Sequence, residues 1–200
     1  MSRPSKSTPQ LIALAAVGAL SVAAIGFWVA GTTDLEGWRH ATRFTARFSF
    51  AWFLAVWSAS ALARVWPGGW RSALFYNRRG VGLGFATAHL IHAFFFSVEI
   101  WGLGHATSLT TMAGGGLGYV FVLLLALTSN DYWVKRLTPG GWKLLHTVGV
   151  NYIAVIFAFT YYGALARGST LLGGTTLALL GAVLLVRIAA FAAARRPRLA

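Results

Sequence analysis

The stretch LIALAAVGALSVAAIGFWVA (residues 11–30) contains no charged residue. As a helix rising ~1.5 Å per residue, it is long enough to cross the ~30 Å hydrocarbon core of a bilayer. Its apolar residues neither alternate nor keep to one face, so it reads as neither a half-buried strand nor a surface helix. It also exceeds the ~7–15 apolar residues of a secretory signal core, and is expected to be retained although Arg3 and Lys6 precede it. Outward from it, residues 48–62, 81–97, 117–127, 148–165 and 171–186 are apolar blocks of the same kind. The shortest is lengthened to 114–128 by uncharged neighbours. The chain is 57% hydrophobic and only 10% charged, against roughly 25% charged in soluble domains. The expected fold is all-α: an integral membrane bundle of six transmembrane helices. The longest connections, residues 31–41 and 67–80, are too short to fold alone, so residues 1–200 are expected to form a single domain.

The formal net charge of +13 is unevenly placed. Arg3 and Lys6 precede the first span, and Arg64, Arg71, Arg78 and Arg79 lie between the second and third. Lys135, Arg136 and Lys143 lie between the fourth and fifth, and Arg195, Arg196 and Arg198 end the chain. With six spans these groups share one side, which the positive-inside rule makes cytoplasmic. Both termini are then expected in the cytoplasm, with the chain integral to the cell inner membrane. The opposite side holds Asp34, Glu36 and Arg167. Only Arg39, Arg43 and Arg47 break the asymmetry, as an i, i+4 stripe that continues the second helix outward. Trp28, Trp66, Trp70, Trp101, Trp133 and Trp142 fall near helix ends, as an interfacial belt requires. The basic loops therefore point to the lipid bilayer as partner and not to nucleic acid. Cysteine is absent, which excludes disulfides, thiolate metal sites and iron–sulfur clusters. GVGLG (residues 80–84) follows no strand and opens a membrane helix, so it serves close helix packing. Without a soluble nucleotide-binding module, any electrons this chain handles must come from another carrier.

GFATAHLIHAFFF (residues 84–96) sets two imidazoles, His89 and His92, in an apolar and aromatic run. Titratable groups at membrane depth are costly and mark function by default. His146 lies early in the fifth span, while His40 and His105 fall in outer segments and are read as solvated. Three residues apart on a helix, His89 and His92 can both face the bundle interior. Neutral imidazole is an axial ligand for haem iron, and a haem between two helices takes one from each. Glu99 is the only acid expected within a span, which argues against a carboxylate metal site or an acidic proton relay. With Phe94, Phe95, Phe96, Phe157 and Phe159 to line a macrocycle, the histidines fit a b-type haem. The plainer reading is interhelical hydrogen bonding.

NRRGVGLGFATAHLIHAFFF (residues 77–96) with LALTSNDYWVKRLTPGGWKLLHTVGVNYIAVIFA (residues 125–158) resembles the ferric reductase-like transmembrane domain family. Within it, the chain is similar to the haem-binding membrane subunit of bacterial periplasmic methionine sulfoxide reductase systems. The resemblance covers about residues 77–162. It implies a six-helix b-type cytochrome that moves electrons across the membrane, the electron-transfer subunit of an oxidoreductase. Its donor would be cytoplasmic or membrane-borne, a flavin or quinone included, and its acceptor or redox partner would face outward. By motif, His92 matches the ligand of the third helix and His146 the first ligand of the fifth. The second should follow thirteen residues on, where Phe159 stands. One haem is therefore expected.

Depth counting qualifies the pairing. From a helix start near Val81, His89 lies ~12 Å and His92 ~16 Å inside, whereas His146, counted from Trp142, lies only ~6 Å inside. Register favours His92 with His146 and depth favours His89 with His146, so His89, His92 and His146 all stand as candidate haem and iron ligands. Arg71, Arg78 and Arg79 are candidates to neutralise an inner propionate or an anionic donor, beside their role in orientation. The alternative function is a haem-free membrane scaffold or small-molecule carrier of the same fold, and Phe159 in the ligand position is its support.

Overall fold

The computed structural model describes residues 8–195, all helix and connecting turns, with no strand among them. Arg3, Lys6, Arg196, Arg198 and both chain ends lie outside the described residues. The helices are α1 (Thr8–Ala30), α2 (Leu35–Val65), α3 (Gly69–Tyr76) and α4 (Arg78–Ser97), the last prolonged by a π turn (Val98–Gly102). They continue with α5 (Leu109–Leu127), α6 (Asp131–Arg136), α7 (Thr138–Ala166) and α8 (Thr170–Arg195). Six of them, α1, α2, α4, α5, α7 and α8, are long and apolar enough to cross a membrane. The chain is an all-α membrane protein.

Three boundaries differ from the sequence reading, each for a local reason. The connection expected over residues 31–41 shrinks because Asp34 caps α2, its carboxylate accepting the Glu36 amide at 2.9 Å. Gly31, at φ +68, makes the reversal before it. The connection over residues 67–80 carries the short helix α3. TPGGW (residues 138–142), which reads as a break before the fifth span, is instead the first turn of α7, with Pro139 where its missing N–H costs nothing. His146 is therefore eight residues into its helix, ~12 Å by helical rise rather than ~6 Å.

Helices α1, α2 and α4 pack closely through small residues. Ala15 and Ala19 of α1 meet Ala88 of α4, and Ala23 meets Ala41 of α2, all buried. A Cβ on Gly26 would lie 2.7 Å from the Ala41 backbone nitrogen, and one on Gly84 would lie 2.5 Å from the Trp52 ring. Lipid offers no hydrophobic drive for helix association, so such close backbone approach supplies the packing. At the far side α7 and α8 meet as tightly, Gly173 against the Leu165 backbone. The interior is of another kind. Phe50, Phe53 and Trp57 of α2, Phe85 of α4, Val122 of α5, Ile153, Phe157 and Tyr161 of α7 and Leu180 of α8 form one buried cluster. Large rings, not close backbones, join α2 and α4 to α7.

Candidate functional site: a histidine pair in the bundle interior

His89 and His92 project together from α4 into this interior, their ring centroids 5.3 Å apart. Around His89 stand Phe85 at 5.2 Å, Tyr119 of α5 at 5.0 Å and Phe157 of α7 at 5.6 Å. His92 has Phe96 at 6.2 Å and Tyr119 at 6.4 Å. Opposite them, α2 presents buried Thr45 and Ser49. Ser49 Oγ lies 3.0 Å from His89 Nδ1, and Thr45 Oγ1 lies 3.3 Å from His92 Nδ1.

These contacts favour one tautomer. The Ser49 hydroxyl donates its one proton to the Ala46 carbonyl at 2.9 Å, and Thr45 donates to the Ala41 and Thr42 carbonyls at 2.9 and 3.0 Å. With those hydroxyl protons on the carbonyls, each oxygen can accept from the facing Nδ1, and the tautomer that does so leaves Nε2 with its lone pair. A hydrogen-bonded Nδ1–H with a free Nε2 is how a metal-binding histidine is held.

His146 is placed elsewhere and held the other way round. Its Nε2, rather than Nδ1, lies 3.1 Å from a hydroxyl, Thr128 Oγ1, which donates to the Leu124 carbonyl at 2.6 Å. Trp142 stacks on the ring at 4.0 Å and donates its own Nε1 hydrogen to the Thr128 carbonyl at 2.8 Å. Because His89 is level with Phe157, eleven residues further along α7, His146 sits ~16 Å nearer the N-terminal end of α7. The structure brings His89 and His92 together and keeps His146 apart from both. Phe159 does not fill the interior either, since it is 70% exposed on the outer surface of the bundle. The aromatic ring facing the pair is Phe157.

The remaining candidates are engaged at the surfaces. Arg71 donates to the Trp66 carbonyl at 2.6 Å, Arg78 lies over the Phe75 ring, and Arg79 is 3.7 Å from Asp131. At the other end Glu36 gathers Arg39, His40 and Arg43 at 3.2–3.7 Å. Glu99, buried in the π turn, faces Arg39 at 3.9 Å and His105 at 3.6 Å. His40 and His105 thus each lie within 3.6 Å of a carboxylate, of Glu36 and Glu99 respectively. The sequence reading also passes over Tyr119, which touches both histidines, and Arg187 of α8. The Arg187 guanidinium lies 5.0 Å over the Trp57 ring and donates to the Trp57 carbonyl at 2.8 Å. A charge one residue beyond the last apolar block was the available signal for Arg187, whereas Tyr119 carried none.

The chain matches no family model, no curated protein and no solved structure. The likeness to the ferric reductase-like domain therefore rests on the quoted motifs. In its chemistry the donor set suits a haem: two imidazoles with aromatic neighbours. No group of three or more His, Asp or Glu side chains able to hold a metal ion occurs among the described residues. In its geometry the site offers imidazoles from α4 alone.

Proposed function

We propose that this chain is a b-type haem membrane protein that relays electrons across the bilayer, with the His89–His92 face of α4 as its ligand-bearing element. The observation that carries this reading is the pair of interior imidazoles held through Nδ1 by hydroxyls of α2, Ser49 for His89 and Thr45 for His92. A bound haem would supply a one-electron ferric/ferrous couple. Ser49 and Thr45 orient the rings, and Phe85, Tyr119 and Phe157 keep bulk water from them. The donor is a cytoplasmic or membrane-borne carrier such as a flavin or quinone, and the acceptor faces outward. His89, the more enclosed ring, is the ligand and His92 its neighbour.

A haem-free scaffold or carrier is favoured by one observation, the Phe157 ring standing where α7 would offer a second histidine. An absorption spectrum of protein from haem-replete cells, before and after dithionite, separates the two. A Soret band that shifts on reduction is expected. With no histidine of α7 at this level, it should have the form of a five-coordinate, high-spin haem that binds carbon monoxide. A folded but colourless preparation sinks the haem reading and supports the scaffold.

The charge asymmetry supports an inner-membrane orientation with both termini in the cytoplasm. A fluorescent protein fused at the C-terminus should then glow, and alkaline phosphatase at the same point should be inactive. An active phosphatase reverses the sidedness proposed for donor and acceptor.

A further inference from the structure

The short helix α3 leaves one apolar face uncovered by the rest of the chain. Trp70, Ala73 and Leu74, with Asn77 just past the helix end, are spaced three, four and seven residues apart and share one side of it. None of the residues of α3 is buried. The small side chain of Ala73, between the bulk of Trp70 and Leu74, leaves a groove of about 490 Å³ along this side. Leu11 of α1 and Val81 of α4 line it as well, and those two helices close together behind it, where a Cβ on Gly80 would lie 2.8 Å from Leu11 Cδ1. Asn77 is the one polar side chain in the lining. The volume falls in the range of roughly 300–1,000 Å³ that ligand sites occupy.

Its place in the fold selects what can enter. The groove opens where the second span ends and the first and third begin, and Trp66, Trp70 and Tyr76 are exposed there, as side chains of a membrane–water boundary are. Of the chain's four acidic residues, Asp131 alone lies at this end, whereas Arg71, Arg78 and Arg79 all stand on the segment that carries the groove. Asp131 faces Arg79 at 3.7 Å. Arg71 and Arg78, next in sequence to the lining residues Trp70 and Asn77, have no carboxylate partner among the described residues. Arg71 gives one of its N–H donors to the Trp66 carbonyl, and the Arg78 guanidinium rests 4.4 Å from the centre of the Phe75 ring. Both contacts steady a planar guanidinium while leaving it donors for an oxyanion.

We infer that the α1–α3–α4 groove is a binding site for one anionic phospholipid. An acyl chain lies over Leu11, Ala73, Leu74 and Val81, and the phosphate accepts hydrogen bonds from Arg71 and Arg78. The uncompensated positive charge at the rim favours a head group of net negative charge over a zwitterionic one. Val81 is eight residues, ~12 Å by helical rise, from His89, so the site is distinct from the histidine pair and does not depend on a haem.

Native mass spectrometry of the delipidated protein in detergent, titrated with phosphatidylglycerol or phosphatidylcholine, tests this. The first equivalent of phosphatidylglycerol should bind on the order of tenfold more tightly than phosphatidylcholine. Arg71→Gln combined with Arg78→Gln should erase that preference. Lys135→Gln combined with Arg136→Gln removes the same charge from exposed positions of α6, away from the groove, and should keep it. Ala73→Trp fills the groove from an exposed position and should weaken the first equivalent of both lipids on the order of tenfold. A preference that survives in the Arg71–Arg78 variant, or is lost equally in both double variants, overturns the inference, the second result meaning diffuse surface charge rather than a site. So does undiminished binding to Ala73→Trp, which would put the lipid elsewhere.

Discussion

His89→Ala is expected to give a folded protein that has lost its Soret band, and His146→Ala one that has kept it. His89 is enclosed by rings from three helices, with Nδ1 held by Ser49. Removing it leaves an imidazole-sized space beside Tyr119 and Phe157. Free imidazole added to the medium should therefore restore the band to His89→Ala, a rescue that a purely structural role could not produce. His92→Ala should keep the haem and shift its midpoint potential, since it alters the polar surroundings and not the ligand. His146→Ala removes one hydrogen bond to Thr128 and a stacking contact with Trp142, together on the order of 1–2 kcal/mol of stability. Loss of the band from His146→Ala, with His89→Ala unaffected, would move the haem ~16 Å towards the N-terminal end of α7 and refute the site proposed here.

Gly26→Val should abolish folding, or nearly so. Its Cβ would lie 2.7 and 2.8 Å from the Ala41 backbone nitrogen and Cα, and two further methyls would follow. Backbone atoms inside a helix cannot move aside as a side-chain end can, so α1 must separate from α2. Overpacking costs roughly 1–3 kcal/mol where side chains can adjust, and more here, against a total stability of about 5–15 kcal/mol for a typical protein. Gly116→Ala is the matched control, exposed on α5 with nothing within 4 Å of its added Cβ. Size-exclusion traces and thermal midpoints in detergent should show Gly26→Val aggregated or strongly shifted and Gly116→Ala unchanged. Equal behaviour of the two would mean that α1 is not packed on α2 at this point.

Much of this molecule could be read from residues 11–30 and the five blocks like them. Within lipid, each backbone N–H and C=O must find its partner inside its own segment or a closed barrel. Long uncharged runs without alternation thus specify helices, their number and their approximate ends. The two imidazoles of α4 and their common face follow from helical spacing alone, because that information is local to one helix. What lay beyond the sequence was the offset of one helix against another. Counting from a helix start assumes that all helices start level, and here they do not: α7 begins at Thr138, and its Phe157 rather than His146 stands beside His89. The offset is set by packing, by Gly149 against Phe121 and Leu125, the Tyr152 hydroxyl on the Gly114 carbonyl, and the large rings between α2, α4 and α7. None of these contacts leaves a periodic trace in the chain. The same holds for Ser49, Thr45 and Tyr119, ordinary membrane-helix residues by spacing, which only the tertiary structure brings against the histidines.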